Sequence, residues 1–277
     1  MEVRHLPDSE SYQRKTTDEL RKTFVLDGLF VPGSVNMVYC DSDRAIVGGA
    51  VPGESPLQLL ASKQEMAAEF FAERREVGIV NIGDRGVVRV DGQTYPLAFK
   101  DMLYIGRGSR TIEFSSLRPD QPAAFYYVSY PAHTVYPSAV ARPVDADKSH
   151  LGSSAEANKR TIHRYIHPGG VQSCQLVMGL TDLESGSVWN TMPPHTHMRR
   201  TEVYLYLGLD PDSVVVHMMG KPRETRSIIL RNRQAVISPA WSIHCGAATK
   251  QYSFVWAMGG ENQEFSDMDA VAMKDLY

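Results

Sequence analysis

The stretch TMPPHTHMRRTEVYLYLG, from Thr191 to Gly208, places two histidines, a turn-rich interval and a glutamate at the head of an alternating apolar run. On a strand, residues i and i+2 share a face, so His195 and His197 aim two imidazoles into one space. Glu202 has the opposite parity, which an unbroken strand would send outward. Met198–Thr201 must therefore contain a turn or bulge that resets the face. After that reset Glu202, Tyr204 and Tyr206 share the inner side, while Val203, Leu205 and Leu207 face away. A fourth group comes from SPAWSIHCG, where Pro239 closes the strand QAVIS and His244 follows a tight turn. Three neutral imidazoles and one carboxylate form a donor set for a borderline divalent metal such as zinc, iron, manganese or nickel. His195, His197, Glu202 and His244 are the candidate ligands.

The surrounding chain reads as mostly strand. Short β-branched and aromatic runs broken by Gly, Pro, Asn and Asp recur throughout. The first half has VNMVYC, RAIVGGAV, VGIVNI, GVVRVDG, DMLYIG, TIEFSS and AAFYYVSY. The second has RTIHRYI, CQLVMGL, VYLYL, SVVVHMM, RSIILRN, QAVISP and YSFVWAM. Helical periodicity is strongest in PLQLLASKQEMAAEFFAERRE, with TTDELRKTFVL a shorter candidate. Many short strands at regular spacing predict an all-β fold of antiparallel barrels or sandwiches with a few short helices. The polar segment YPSAVARPVDADKSHLGSSAEANKR reads as a linker, giving an N-terminal barrel over 1–140 and a C-terminal metal-binding barrel over 141–277.

The halves echo each other. AERREVGIVNIG ends at Gly83 and HMRRTEVYLYLG ends at Gly208. Aligning Glu76 on Glu202 puts Glu69 and Phe71 where the second half has His195 and His197. Laying KDMLYIGRGSRT on RQAVISPAWSIH puts Thr111 opposite His244. The first copy is therefore expected to lack a metal.

The net charge is −3 over 277 residues, without a basic stripe, which argues against nucleic acid. No apolar run is long enough to span a membrane, and the polar N-terminus lacks the core of a signal peptide. The three scattered cysteines fit a reducing compartment, so a cytoplasmic protein is expected. Cys245 reads as a small buried residue beside His244.

The spacing His-x-His-x₄-Glu with a later Pro-x-x-x-x-His is similar to the two motifs of the cupin superfamily, small antiparallel barrels holding one metal. Gly208 falls one residue early, Trp241 replaces the usual glycine of the second motif, and Ala248 stands where asparagine is common. The phrases NTMPPHTH, RRTEVYLYL, HMMG, QAVISPAWSIH, GENQ and ERREVGIVNIG together resemble the 5-dehydro-4-deoxy-D-glucuronate isomerase family, also called 4-deoxy-L-threo-5-hexosulose-uronate ketol-isomerases. The resemblance runs from VNMVYCDSDRAIVGG to MDAVAMKDLY. It implies a bicupin, one Zn²⁺ per chain held by His195, His197, Glu202 and His244, and a homohexamer. It also implies conversion of a 4-deoxy-5-keto aldehyde uronate into a 3-deoxy-2,5-diketo acid during breakdown of pectin or related polymers.

Such a reaction removes a proton beside a carbonyl, and a divalent metal polarises that oxygen and stabilises the enediolate. A base must then carry the proton between adjacent carbons. Glu202, Tyr204 and Glu261 are the candidates for this work, although Tyr204 and Tyr206 also suit packing and Glu261 could cap a turn. His217 reads as a core histidine, and His163 and His167 as edge or subunit-contact residues. A uronate carboxylate calls for arginine; Arg199 is in phase with the histidines, with Arg200 as the fallback. An iron-dependent cupin oxygenase and a non-enzymatic sugar-acid binder are the alternatives.

Overall fold

Every one of the strand runs quoted above lies on a strand, and those strands build the same pair of sheets twice. The computed structural model describes residues 1–277 and divides into two units. The first comprises Met1–Arg4, Gly28–Asp147 and Tyr165–Met178; the second comprises His5–Asp27, Lys148–Arg164 and Gly179–Tyr277. A cut at residue 140 does not separate them, because His5–Asp27 belongs to the second unit and Tyr165–Met178 to the first.

In the first unit a seven-stranded sheet runs in the order Glu2–Arg4, Val35–Cys40, Ile46–Ala50, Phe125–Pro131, Arg75–Asn81, Met102–Ile105, Ala139–Ala141. A four-stranded sheet runs Leu57–Gln58, Ile112–Ser116, Gly86–Val90, Gln93–Leu97. The other seven-stranded sheet has the order Asp147–Leu151, Arg160–Ile166, Val177–Leu183, Ser253–Gly260, Arg200–Leu207, Ala235–Ser238, Val25–Leu26. Its four-stranded companion is Trp189–Asn190, Ile243–Ala248, Val215–Lys221, Glu224–Leu230. The fold is all-β and cupin-like, but each sheet keeps two free edges, so the expected barrels are open, jelly-roll-like sandwiches.

Local chemistry explains where the sequence reading and the structure part. Thr17–Phe24 is a helix closed by a Thr16–Glu19 capping box. The longer candidate gives only Lys63–Met66, because Ala67 enters the left-handed region (φ 48°) and ends it. Beyond it, Phe71 and Ala72 are buried in the core of the first unit. The segment read as a linker contributes the edge strands Ala139–Ala141 and Asp147–Leu151. Gln93–Leu97 lacks a clear sequence signal because Pro96 interrupts it, which an edge strand tolerates. It follows a two-residue Asp91-Gly92 hairpin loop with both φ positive, the type I′ arrangement this dipeptide favours.

The repeat is real in topology but one residue out of the register read above. Val77 pairs with Ile105 and Glu202 with Ser238 in matching strands, so Val77 is the counterpart of Glu202. Glu76 instead accepts hydrogen bonds from the Tyr104 hydroxyl (2.8 Å) and from the backbone N–H groups of Cys174, Gln175 and Leu176 (2.6, 2.8 and 2.7 Å). Glu69 and Thr111 are exposed, the first paired with Lys63 and the second bonded to Asp91. The interior of the first unit is hydrocarbon: Val77, Ile79, Val88, Val90, Ile112, Phe114 and Phe125 pack together there.

Candidate metal centre

The face reset required by parity occurs as a turn. His195–Thr196 is a two-residue strand paired with Asp269–Ala270; the Arg200 N–H then donates to the His197 carbonyl (3.0 Å) before Arg200–Leu207 begins. A second turn, closed by the Ser242 N–H on the Pro239 carbonyl (2.9 Å), delivers His244 at the start of Ile243–Ala248. Trp241 fits that turn by stacking on Tyr12 (centroids 4.7 Å apart), whose hydroxyl donates to the Glu224 carbonyl. The motif departure at Trp241 thus has a packing partner.

One ligand atom from each of His195, His197, Glu202 and His244 lies within 4.8 Å of the others. His195 Nε2 is 3.0 Å from His197 Nε2 and 3.2 Å from His244 Nε2. Glu202 Oε2 is 3.1 Å from His197 Nε2 and 2.7 Å from His244 Nε2. Ligands about 2.0–2.1 Å from a single ion stand roughly 3.0–3.4 Å apart; three of these four separations fall in that range and the fourth is shorter. Contacts behind the cluster fix the ring of His197: its Nδ1 lies 2.8 Å from the Asp267 carbonyl and 3.1 Å from Arg200 Nη2.

Burial, and then the neighbouring His244 and His197, push the His195 imidazole down to about 2, which keeps it neutral. Burial alone would raise the Glu202 carboxyl, but the His244 and His197 imidazoles outweigh it and hold the group below the usual carboxylate range. The Tyr204 phenol is driven well above its ordinary value by burial and then by Glu202, so it remains protonated. Cys245 is a buried thiol pushed up to about 12 by burial and takes no part in the donor cluster.

A cavity of about 290 Å³ opens on the cluster, lined by His195, His197, Glu202, Tyr204, Asn190, Thr191, Arg160, Ile162, Thr181, Phe254, Trp256 and a rim of Met and Pro side chains. Gly179 makes room for one wall, since a Cβ there would lie 2.1 Å from the Trp256 ring. Glu202 is the sole carboxylate in the lining and Arg160 the sole Arg or Lys. Both imidazole contacts of Glu202 use Oε2, leaving Oε1 without a hydrogen bond.

Two expected site residues lie elsewhere. Arg199 does not line the cavity; the turn carries its side chain to Asp267, which it grips through Nε (3.0 Å) and Nη2, and to Asp269 (2.9 Å). Glu261 is exposed and outside the lining, and its backbone N–H donates to the Arg199 carbonyl (2.9 Å), one step beyond the pairing of Arg200 with Gly260. Arg200 is fully buried, with Nη2 on the Asp267 carbonyl (2.9 Å) behind His197. Tyr206 and His217 form a buried pair at 2.9 Å, and His163 meets Asp182 at 3.4 Å. Sequence reasoning missed Arg160, Asn190 and Trp256. The parity of RTIHRYI puts Arg160 and Ile162 on one face, but nothing in the sequence says which cavity that face bounds.

This geometry accompanies unambiguous relatedness. The model of the KduI/IolB family matches residues 31–275. The chain belongs to that family. It is 52% identical over 276 residues to a protein of Caldicellulosiruptor bescii named 4-deoxy-L-threo-5-hexosulose-uronate ketol-isomerase, with all of both chains covered. Proteins of the same name from Halalkalibacterium halodurans and Salmonella typhimurium are 51% and 47% identical, again over the full length of both chains. Among solved structures, an IolB-like protein from Salmonella typhimurium superposes with a TM-score of 0.67 at 12% identity, covering 87% of this chain and 94% of its own. Protein Ylba from E. coli gives 0.59 at 12% identity, covering 85% and 89%. These structural likenesses speak for the fold alone. No helix is long and apolar enough to cross a membrane.

Proposed function

We propose that this member of the KduI/IolB family is a metal-dependent ketol-isomerase converting 5-dehydro-4-deoxy-D-glucuronate to 3-deoxy-D-glycero-2,5-hexodiulosonate. The observation that carries the reading is the three-histidine, one-glutamate cluster on a cavity of about 290 Å³, in a chain half identical to proteins bearing that name. His195, His197, Glu202 and His244 would hold Zn²⁺, one per chain. When bound, the ion supplies a Lewis acid that draws electron density from the substrate carbonyl and acidifies the adjacent C–H.

The chain's own groups do the rest. Glu202 is ionised, and its unengaged Oε1 belongs to the one carboxylate facing the cavity, so it takes the C2 proton and returns it to C1. Tyr204 stays a phenol and serves as a hydrogen-bond donor to a substrate oxygen that gains charge. Phe254, Trp256 and Ile162 exclude water around the exchange. A cytoplasmic homohexamer is the setting that the resemblance implies.

The test is incubation of the purified protein with the keto-uronate under anaerobic conditions in deuterated water. Turnover without oxygen, with deuterium on the new hydroxymethyl carbon, is expected. Oxygen-dependent consumption would replace this reading with an oxygenase, and tight binding without turnover would replace it with a sugar-acid binder.

A further inference from the structure

The substrate of the proposed reaction carries its reacting carbonyl at one end and its carboxylate at the other. A group that reads the acid must therefore sit across the cavity from the metal ligands, not beside them. Arg199 fails this requirement twice, being adjacent to the ligand turn and committed to Asp267 and Asp269. Arg160 satisfies it. It opens the strand Arg160–Ile166, which lies three places from Arg200–Leu207 in the sheet order, about 14 Å along the sheet at ~4.8 Å per strand. A six-carbon chain, extended by the side chains of Arg160 and Glu202, covers that span.

The state of the guanidinium makes the same point. Arg160 is half-buried, lines the cavity and has one hydrogen bond, from Nη1 to the Asn158 carbonyl (2.9 Å). Its Nε is buried with no partner. No carboxylate pairs with it, and the only one in the cavity, Glu202, is gathered by the imidazoles. A buried N–H left unpaired is costly unless a ligand completes it. We propose that Arg160 binds the terminal carboxylate of the substrate and so selects uronates over uncharged sugars; this rests on the isomerase reading. Arg160 is a positioning and specificity residue that never touches the reacting carbons.

The test compares wild type, Arg160→Met and Arg160→Lys on the keto-uronate and on its analogue bearing a hydroxymethyl group in place of the carboxylate. Arg160→Met should lower kcat/KM for the acid by about 10- to 100-fold, mainly through KM, with metal content and Tm unchanged. Arg160→Lys should recover part of the loss, since it keeps the charge without the planar fork. The analogue should be handled equally by wild type and Arg160→Met. Equal losses on both substrates, or less than a threefold loss on the acid, would overturn the assignment. Calorimetric titration of metal-free protein with the two compounds separates this from the reaction itself. If the wild type turns over neither compound, the isomerase reading fails. A binding preference for the acid that vanishes in Arg160→Met then still supports Arg160, and absence of any preference removes it.

Discussion

The two units share a strand order and differ in what fills them. Where the second places Glu202 the first has Val77, and where the second has Tyr204 the first has Ile79, two residues further along the same strand. The first interior is closed by Phe114, Phe125 and Tyr127 in ring contact. The second keeps Tyr204, Tyr206, His217 and His244 in a buried aromatic and imidazole assembly. Hydrophobic burial is non-directional, so the first unit holds its shape through packing. Buried imidazoles and a carboxylate must be satisfied one by one, so the second relies on specific partners such as the Asp267 carbonyl behind His197. One scaffold thus carries a core of packed hydrocarbon and a core of polar groups gathered as candidate metal ligands.

The largest effect expected from this contrast is in the second unit. His197→Ala or His244→Ala should weaken metal binding by more than about 100-fold, above the loss typical of a supporting residue, and abolish nearly all turnover. Elemental analysis of the purified protein should give one metal per chain. Two tightly held ions per chain would break the comparison, because Val77 stands where Glu202 does and the interior around it is hydrocarbon.

The first unit should answer to volume instead. Phe114→Ala removes a fully buried ring from the apolar core and should cost about 3–5 kcal/mol in denaturant unfolding. Metal content should be unaffected. Loss of metal in parallel with stability would mean that the two interiors are not independent.

A smaller effect is expected from the support of the metal cluster. Arg199 clamps Asp267 by two hydrogen bonds, and Asn262 Nδ2 donates to the same carboxylate (2.7 Å). The carbonyl of Asp267 in turn orients His197. Arg199→Ala should therefore reduce metal affinity by about 10- to 100-fold, measured by competition with a chelator, and spare the preference for acid over alcohol. Unchanged affinity with lost acid preference would return the carboxylate role to Arg199 and displace Arg160.

The sequence made the donor cluster legible because strand parity is local. The mismatch between His197 and Glu202 demanded a turn, and Arg200 to His197 closes one. Strand runs and the Thr16–Glu19 box were legible for the same reason. Arg199 was misread because its partner lies 68 residues away, and phase along a strand says nothing about an aspartate arriving from Asp267. Arg160 escaped notice because five strands of one sheet, far apart in the sequence, contribute to the cavity. The repeat was found but set one residue out, since two glutamates attract each other in an alignment although one faces three backbone N–H groups and the other a metal site. A helical composition also misled over 56–76, where the core of the first unit required separate apolar plugs and Ala67 broke the helix.

The smallest effect tests the buried histidine that is no ligand. His217 has no exposure, its Nδ1 is 2.9 Å from the Tyr206 hydroxyl, and its Nε2 has no partner. Burial, and then His244, push its imidazole from 6.5 down to about 3. The folded form thus refuses a proton that the unfolded chain accepts below about pH 6.5. The unfolded state then binds more protons, so this contribution to stability is whole above that pH and shrinks as pH falls toward 3. The slope is at most about 1.4 kcal/mol per pH unit, and between pH 6 and 5 it amounts to roughly 1 kcal/mol. His217→Gln keeps an amide partner for Tyr206 but cannot titrate. Urea unfolding of metal-free wild type and His217→Gln at pH 7, 6 and 5 should therefore converge as the pH falls, the wild type losing about 2 kcal/mol more over the series. Groups elsewhere titrate alike in both proteins and cancel in the difference. Parallel curves would show that His217 is reached by protons in the folded state, and that the second interior is wetter around Tyr206 than its hydrogen bonding implies.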